Sequence, residues 1–251
     1  MKNGYSIYDT HTHLGEALHS GRKQDVDGML RSMDSHGVDR SLLIPFPVVE
    51  DEAAAHDQIA AAVRAHPGRF AGAACLHPHQ KRRRFLDELK RCAEEHGFRV
   101  LKLQPQYQPL NVVSERSDFL FEAAVKHGMV VLAHTGTGAP FALPSLFIMP
   151  ARRFPELPII LGHSGGSVYV GEAIVAASVC PNIHIDVSSL MPHHVGEVLA
   201  NVSSDRLMAG SDLPQSVEAE IGKILTLDIP DADKKNILWN TARKLIDRES
   251  E

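Results

Sequence analysis

A barrel of eight parallel strands wrapped by helices, (β/α)8, is the fold class this sequence predicts, and three observations predict it. Short apolar runs alternate with longer helical stretches along the whole chain, the βαβα rhythm of a parallel sheet. The runs are rich in Val, Ile and Leu, as strands buried on both faces should be. The pairs His36-Gly37, His66-Pro67, His96-Gly97 and His127-Gly128 recur about every 30 residues, the length of one βα unit. At 251 residues the chain has the usual size of one such barrel. No linker, low-complexity tract or composition shift interrupts it, so one domain over 1–251 is expected. An open doubly wound sheet is the rival, but no glycine-rich phosphate loop follows the first strand.

In chain order, the first strand is read at 5–9, where an apolar run meets Asp9-Thr10-His11-Thr12-His13. A helix at 24–36 stops at Gly37. A strand at 40–46 leads to a helix at 51–66, stopped by Pro67, and a strand at 70–76 to a helix at 80–95. The cluster Arg82, Arg83 and Arg84 on that helix reads as a solvated face. A strand at 99–103 holds Val100-Leu101-Lys102-Leu103, and a helix at 114–127 ends at Gly128. Strands at 129–133, 158–162, 183–188 and 206–210 alternate with helices at 141–153, 167–179, 193–201 and 215–226; a last helix covers 232–247. Gly and Pro stop helices, and a histidine in the last turn suits the helix dipole.

Composition narrows the function. The net charge of -5 argues against nucleic acid, which favours a basic face. Cys75, Cys92 and Cys180 show neither CxxC spacing nor an even count, as expected of reduced thiols in a cytosolic protein. The start runs straight into strand one, leaving no room for a signal peptide, and no apolar run reaches membrane-spanning length.

The chemistry is expected at the strand ends. Side chains alternate faces along a strand, so Asp9, His11 and His13 should share one face, with Thr10 and Thr12 on the other. Two imidazoles two residues apart can chelate one ion. Val130 to His134, Ile159 to His163 and Leu207 to Asp212 are further apolar runs that each end in a potential ligand. In a parallel barrel the carboxyl ends of the strands converge on one mouth, so His11, His13, His134, His163 and Asp212 describe a metal site better than a core. His36, His66, His96 and His127 belong to helix ends at the opposite face. His19 and His56 read as solvated, and His184 falls inside strand seven. His77, His79, His193 and His194 could rim the pocket.

This five-position set, in this order and on these strands, resembles the amidohydrolase superfamily. Tyr8-Asp9-Thr10-His11-Thr12-His13, Gly162-His163-Ser164-Gly165-Gly166 and the closing stretch Ile237 to Leu245 resemble its amidohydrolase-related branch, which includes decarboxylases, hydratases and lactonases. The resemblance covers essentially the whole chain and implies a distorted TIM barrel with a divalent ion at its mouth. Imidazole and carboxylate suit zinc, with manganese or iron as alternatives. His11, His13, His134 and Asp212 could hold one ion, which would lower the pKa of a bound water to about 7. The resemblance makes Asp212 the acceptor of that water's proton, and His163 either a ligand of a second ion or a donor that polarises the substrate carbonyl, the latter being the part the strand-six histidine plays in single-metal relatives and the one expected here. It also leaves Lys102 open: a carboxylated lysine bridging two ions, a bare ammonium attracting an anionic substrate, or a lysine snorkelling at the rim. No acidic residue stands on strand four, where the nuclease branch has a glutamate.

Gln104 and Tyr107, with Gln106 and Gln108, follow strand four and could contact substrate; Tyr107 could donate to a carboxylate or developing oxyanion. The expectation is a cytoplasmic, metal-dependent hydrolase of an ester, lactone or amide bond in a small, anionic molecule. The alternative is a decarboxylase or hydratase of an aromatic or unsaturated acid at the same site. A small-molecule substrate is the expected partner, with no nucleic acid and no membrane. Short loops leave room for a second subunit to complete the pocket.

Overall fold

The strands of the computed structural model, which describes residues 1–248, are β1 (Tyr8–Glu16), β2 (Lys23–Gln24), β3 (Arg40–Pro45), β4 (Phe70–Cys75), β5 (Val100–Leu103), β6 (Val130–His134), β7 (Ile159–Gly162), β8 (Ile183–Asp186) and β9 (Leu207–Met208). They form one sheet in the order β2-β1-β3-β4-β5-β6-β7-β8-β9. All neighbours are parallel except β1 and β2. At the seam, Thr10 N–H donates to Ala209 O (2.9 Å) and Asp212 N–H to His11 O (2.6 Å). These bonds join the last barrel strand to the first, so the sheet closes into the expected (β/α)8 barrel.

Between the strands run α1 (Val26–His36), α2 (Glu52–Ala65), α3 (Arg82–Glu94), α4 (Asp118–Lys126), α5 (Ile148–Arg153), α6 (Val170–Val179), α7 (Pro192–Leu199), α8 (Val217–Thr226) and α9 (Asp231–Lys235). Their boundaries have local causes. Asp25 caps α1 by accepting from Gly28 N–H at 2.6 Å, and Asp51 caps α2 by accepting from the N–H groups of Ala53 and Ala54; such side chains satisfy donors the helix leaves unpaired. Gly37 ends α1 in the left-handed region, φ 70°, which glycine adopts without steric cost. The final helix continues past α9 through two π-helical turns, Asn236–Asn240 and Arg243–Asp247.

The core has two shells. Alternate strand residues such as Ile7, Leu43, Ala74, Leu101, Val131, Ile159 and Ile185 pack outward against the helices. The other parity, including Tyr8, Leu42, Val100, Val130, Leu132, Ile160 and Met208, fills the barrel, with Trp239, Ala242 and Ile246 of the final helix packed against it. Lys102 follows Val100 by two residues, so it shares the inward face and is fully buried.

Several strand expectations need correction, among them those at 183–188 and 206–210, which shorten to Ile183–Asp186 and Leu207–Met208. The first strand begins later and runs through the polar motif to Glu16, because Thr10 and Thr12 spend their hydroxyls on Ala209 O and Leu42 O. Polar residues thus continue the strand instead of ending it. The short antiparallel β2 was also not foreseen; its two residues are far below the length that carries a periodic signal. The helix expected at 141–153 divides into a tight turn, Pro144–Phe147, and α5. Among the described residues, no helix is long and apolar enough to cross a membrane.

Candidate active site

Every strand-end histidine expected at the mouth lies there, but the alternation along β1 does not hold. The β1–β3 register shifts between Asp9 and Thr12, which inserts one residue and resets which face each side chain meets. Asp9 therefore leaves the cluster. Its carboxylate accepts from Ser211 N–H (2.9 Å) and Ser211 Oγ–H (2.5 Å). Burial pushes its pKa up to about 7, against the hydrogen bonds from Ser211 and His11 that lower it.

His11 is the hub of the site. Its Nδ1 is 2.7 Å from Asp186 Oδ2, and its Nε2 is 2.7 Å from Lys102 Nζ and 3.8 Å from Asp212 Oδ1. Burial and the charge of Lys102 hold His11 below its ordinary pKa, so it is neutral. With Nδ1–H donated to Asp186, Nε2 carries the lone pair. His13 Nε2 stands 3.4 Å from the same Asp212 oxygen, and its ring stacks on Phe46 at 5.0 Å.

His163 stacks on His11 at 4.5 Å between ring centroids and sits 2.8 Å from Ser188 Oγ through Nδ1. Ser188 donates its one hydroxyl proton to Asp186 Oδ2 at 2.9 Å, so it accepts from His163 Nδ1–H. That fixes the tautomer and leaves a lone pair on His163 Nε2 as well. Burial holds His163 far below the ordinary histidine value. His163, Ser164 and Asp212 have φ of 61°, 44° and 64°, a left-handed backbone that non-glycine residues adopt at a cost and that clusters at functional sites.

Asp186 was not singled out by sequence reasoning, yet it organises both imidazoles. It accepts from His11, from the N–H and hydroxyl of Ser188, and from His163 N–H at 3.3 Å. Burial raises its pKa, but the hydrogen bond and charge of His11 outweigh that and hold it well below the carboxylate range. A sequence signal existed: Ile183-His184-Ile185-Asp186 is one more apolar run ending in a ligand type. The strand ends at Asp186 and not at 188.

The nitrogen and oxygen donors of His11, His163 and Asp212 lie within 4.8 Å of one another. His13 flanks Asp212. His134 stands at the edge, its ring 5.0 Å from His163 and its Nε2 on Thr137 O at 2.9 Å; burial lowers its pKa to about 4. Asp212 is pushed up by burial, but the hydrogen bond from His13 and the neighbouring imidazoles hold it well below the usual range. Neutral imidazoles beside an ionised carboxylate are the donor chemistry a divalent cation takes. Lys102 is compatible with one: burial lowers its pKa to about 8, which puts the uncharged amine within reach near neutral pH.

Gln104 sits two residues above Lys102, buried, with no hydrogen-bond partner for its Oε1. Gln108 is spent on the loop itself, accepting from Gln104 N–H and donating to Leu76 O. Tyr107 stands on the rim, 39% exposed, with its ring on His19. The reading of His56 as solvated fails: it is fully buried, paired through Nδ1 with Glu88 at 2.8 Å, and it accepts from Cys75 N–H.

Comparison with known proteins fits this geometry. The family model described as amidohydrolase matches residues 8–248. A search of curated proteins finds no match. Among solved structures, the chain is similar to 5-carboxyvanillate decarboxylase from Novosphingobium aromaticivorans, complexed with manganese and 4-hydroxy-3-methoxy-5-nitrobenzoic acid, at 18% identity and TM-score 0.80, covering 97% of this chain and 96% of that one. It is similar to 5-carboxyvanillate decarboxylase from Sphingomonas paucimobilis at 19% identity and TM-score 0.77, covering 96% and 99%. It also resembles a probable 2-pyrone-4,6-dicarboxylic acid hydrolase from Acinetobacter baumannii with citric acid bound, at 14% identity and TM-score 0.69, covering 96% and 98%.

Proposed function

The chain belongs to the amidohydrolase family, and from that premise we propose that it is a metal-dependent hydrolase acting on an ester, lactone or amide bond of a small anionic molecule. Asp212 carries this reading: an ionised carboxylate, its side chain 36% exposed, beside the Nε2 atoms of His11 and His13. His11, His163 and Asp212 would hold the ion, with His13 and His134 adjacent. When bound, a divalent ion supplies positive charge that polarises a carbonyl and eases deprotonation of water. Asp212 takes the proton released as water attacks and returns it to the leaving group. The tautomer of His163 offers a lone pair rather than a proton, which favours its role as a ligand over that of a donor. Lys102 reaches the site as an amine, Gln104 supplies an unspent acceptor, and Tyr107 a hydroxyl at the rim.

A second reading, decarboxylation of an aromatic or unsaturated acid, draws support from the likeness to manganese-bound 5-carboxyvanillate decarboxylase. That likeness also puts manganese beside zinc as the expected ion. Metal content of the purified protein tests the shared premise; a chain that neither carries nor takes up a divalent ion overturns it. Product analysis over lactones, esters and aromatic acids then separates the readings, since carbon dioxide release selects the second. Asp212→Asn should lower turnover at least about 100-fold, as loss of a proton carrier does, with an unchanged circular dichroism spectrum.

A further inference from the structure

We propose a second divalent-cation site outside the cluster at the barrel mouth, built by His193, His194 and Glu197 on the first turns of α7. Their donor atoms lie within 4.8 Å of one another. The helix explains why. Glu197 is four residues from His193 and three from His194, the two spacings that bring helix side chains together. The two imidazole rings touch, with centroids 4.0 Å apart.

What separates this group from an ordinary surface cluster is one buried, unspent nitrogen. None of the three side chains has a hydrogen-bond or ion-pair partner among the described residues, and His194 Nδ1 is buried without one. The other convergent trio, His56, Glu88 and Cys92, shows the contrast: there Glu88 joins His56, Cys92 and Arg91, and Cys75 N–H takes the remaining nitrogen of His56. That trio is a closed structural clasp, whereas the α7 trio is open. His193 and Glu197 are exposed and His194 half-buried, so small rotations can bring the donors onto one ion at the bond lengths of about 2.0–2.2 Å that zinc takes from nitrogen and oxygen.

Two imidazoles and a carboxylate select a borderline ion, zinc or its neighbours copper and nickel, over magnesium or calcium. The positive end of the helix dipole works against any cation here, so the binding must come from the two imidazole nitrogens and the Glu197 carboxylate. The site follows directly on the loop from Asp186 through Ser188, which sets the tautomers of His11 and His163.

Equilibrium dialysis against zinc, with zinc counted per chain by elemental analysis, tests the proposal on chelator-stripped full-length protein. The double variant His193→Asn, Glu197→Gln should bind one zinc fewer than wild type. His11→Asn should lose ion at the mouth and keep the α7 site. An equal count in wild type and the double variant overturns the proposal. A count that falls only in the double variant, and not in His11→Asn, upholds it while removing the mouth reading. Long-range proton–nitrogen spectra of wild type give a second readout that requires no variant. The ring nitrogens of two adjacent histidines, His193 exposed and His194 half-buried, should shift on adding zinc after the mouth is filled, and no such shift overturns the proposal.

Discussion

One buried carboxylate sets the protonation pattern at the residue scale. Asp186 receives His11 Nδ1–H directly and His163 Nδ1–H through Ser188, so both imidazoles keep Nε2 as the lone-pair nitrogen, that of His11 2.7 Å from Lys102 Nζ and 3.8 Å from Asp212 Oδ1. Groups that orient metal-binding histidines typically contribute 10–100-fold in metal affinity. Asp186→Asn should therefore weaken metal binding about 10–100-fold in a competition titration, while Asp186→Glu, with the carboxylate displaced, recovers part of it. Unchanged affinity in Asp186→Asn would reduce Asp186 to a folding role. The convergence of His11, His13, His134, His163 and Asp212 was legible in the sequence because each interrupts or closely follows an apolar run, although β1 continues past His11 and His13. Asp186 was legible only once the strand's end was known, since one residue decides whether a carboxylate lies inside a strand or at its mouth. The departure of Asp9 was not legible at all, because a bulge leaves no mark on alternation.

At the scale of elements, the strands that read correctly are those buried on both faces, where an apolar run is the only solution. Helix ends read correctly where Gly or Pro stops them. What could not be read is how elements clasp one another. His56 on α2 and Glu88 on α3 are joined, and Glu88 is bound also by Arg91 at 2.8 Å; neither helix shows this alone. Burial raises the pKa of Glu88, but His56 and Arg91 outweigh it and bring it down to about 2. The folded value lies below the ordinary value near 4.5. This clasp is therefore fully stabilising above about pH 4.5 and fades as pH falls toward 2. Glu88→Gln should cost about 1–2 kcal/mol above pH 5, as expected for partly buried hydrogen bonds to a charged group screened in part by solvent. The difference in Tm between wild type and variant should shrink from pH 5.5 to pH 3. A difference that stays constant over that range would place the lost stability in packing and not in charge.

Across the whole molecule, stability and chemistry occupy opposite ends of the barrel. The mouth holds the polar cluster and its left-handed backbone. The floor holds Tyr8, Met208, Trp239, Ala242 and Ile246, packed as one apolar plug. The strand order was legible because eight short βα units without a glycine-rich phosphate loop favour a barrel, in which each strand pairs with the next. The plug was not, because a terminal helix that closes a barrel from below has the same amphipathic pattern as one lying on its side. This division makes a prediction. Ile246 is only 2% exposed, and Ile246→Ala removes buried methyl groups from the floor, which costs about 2–5 kcal/mol. Each kcal/mol lowers Tm by about 2–4 °C in a chain of this size. The metal count and kcat/KM, measured well below the lowered Tm, should match wild type, because His11, His163 and Asp212 are held by Asp186, Ser188 and the β9–β1 seam rather than by the floor. If kcat/KM falls while circular dichroism shows a fully folded chain, the plug instead transmits its packing to the mouth, and the strained turns at His163 and Asp212 are the segments through which it would act.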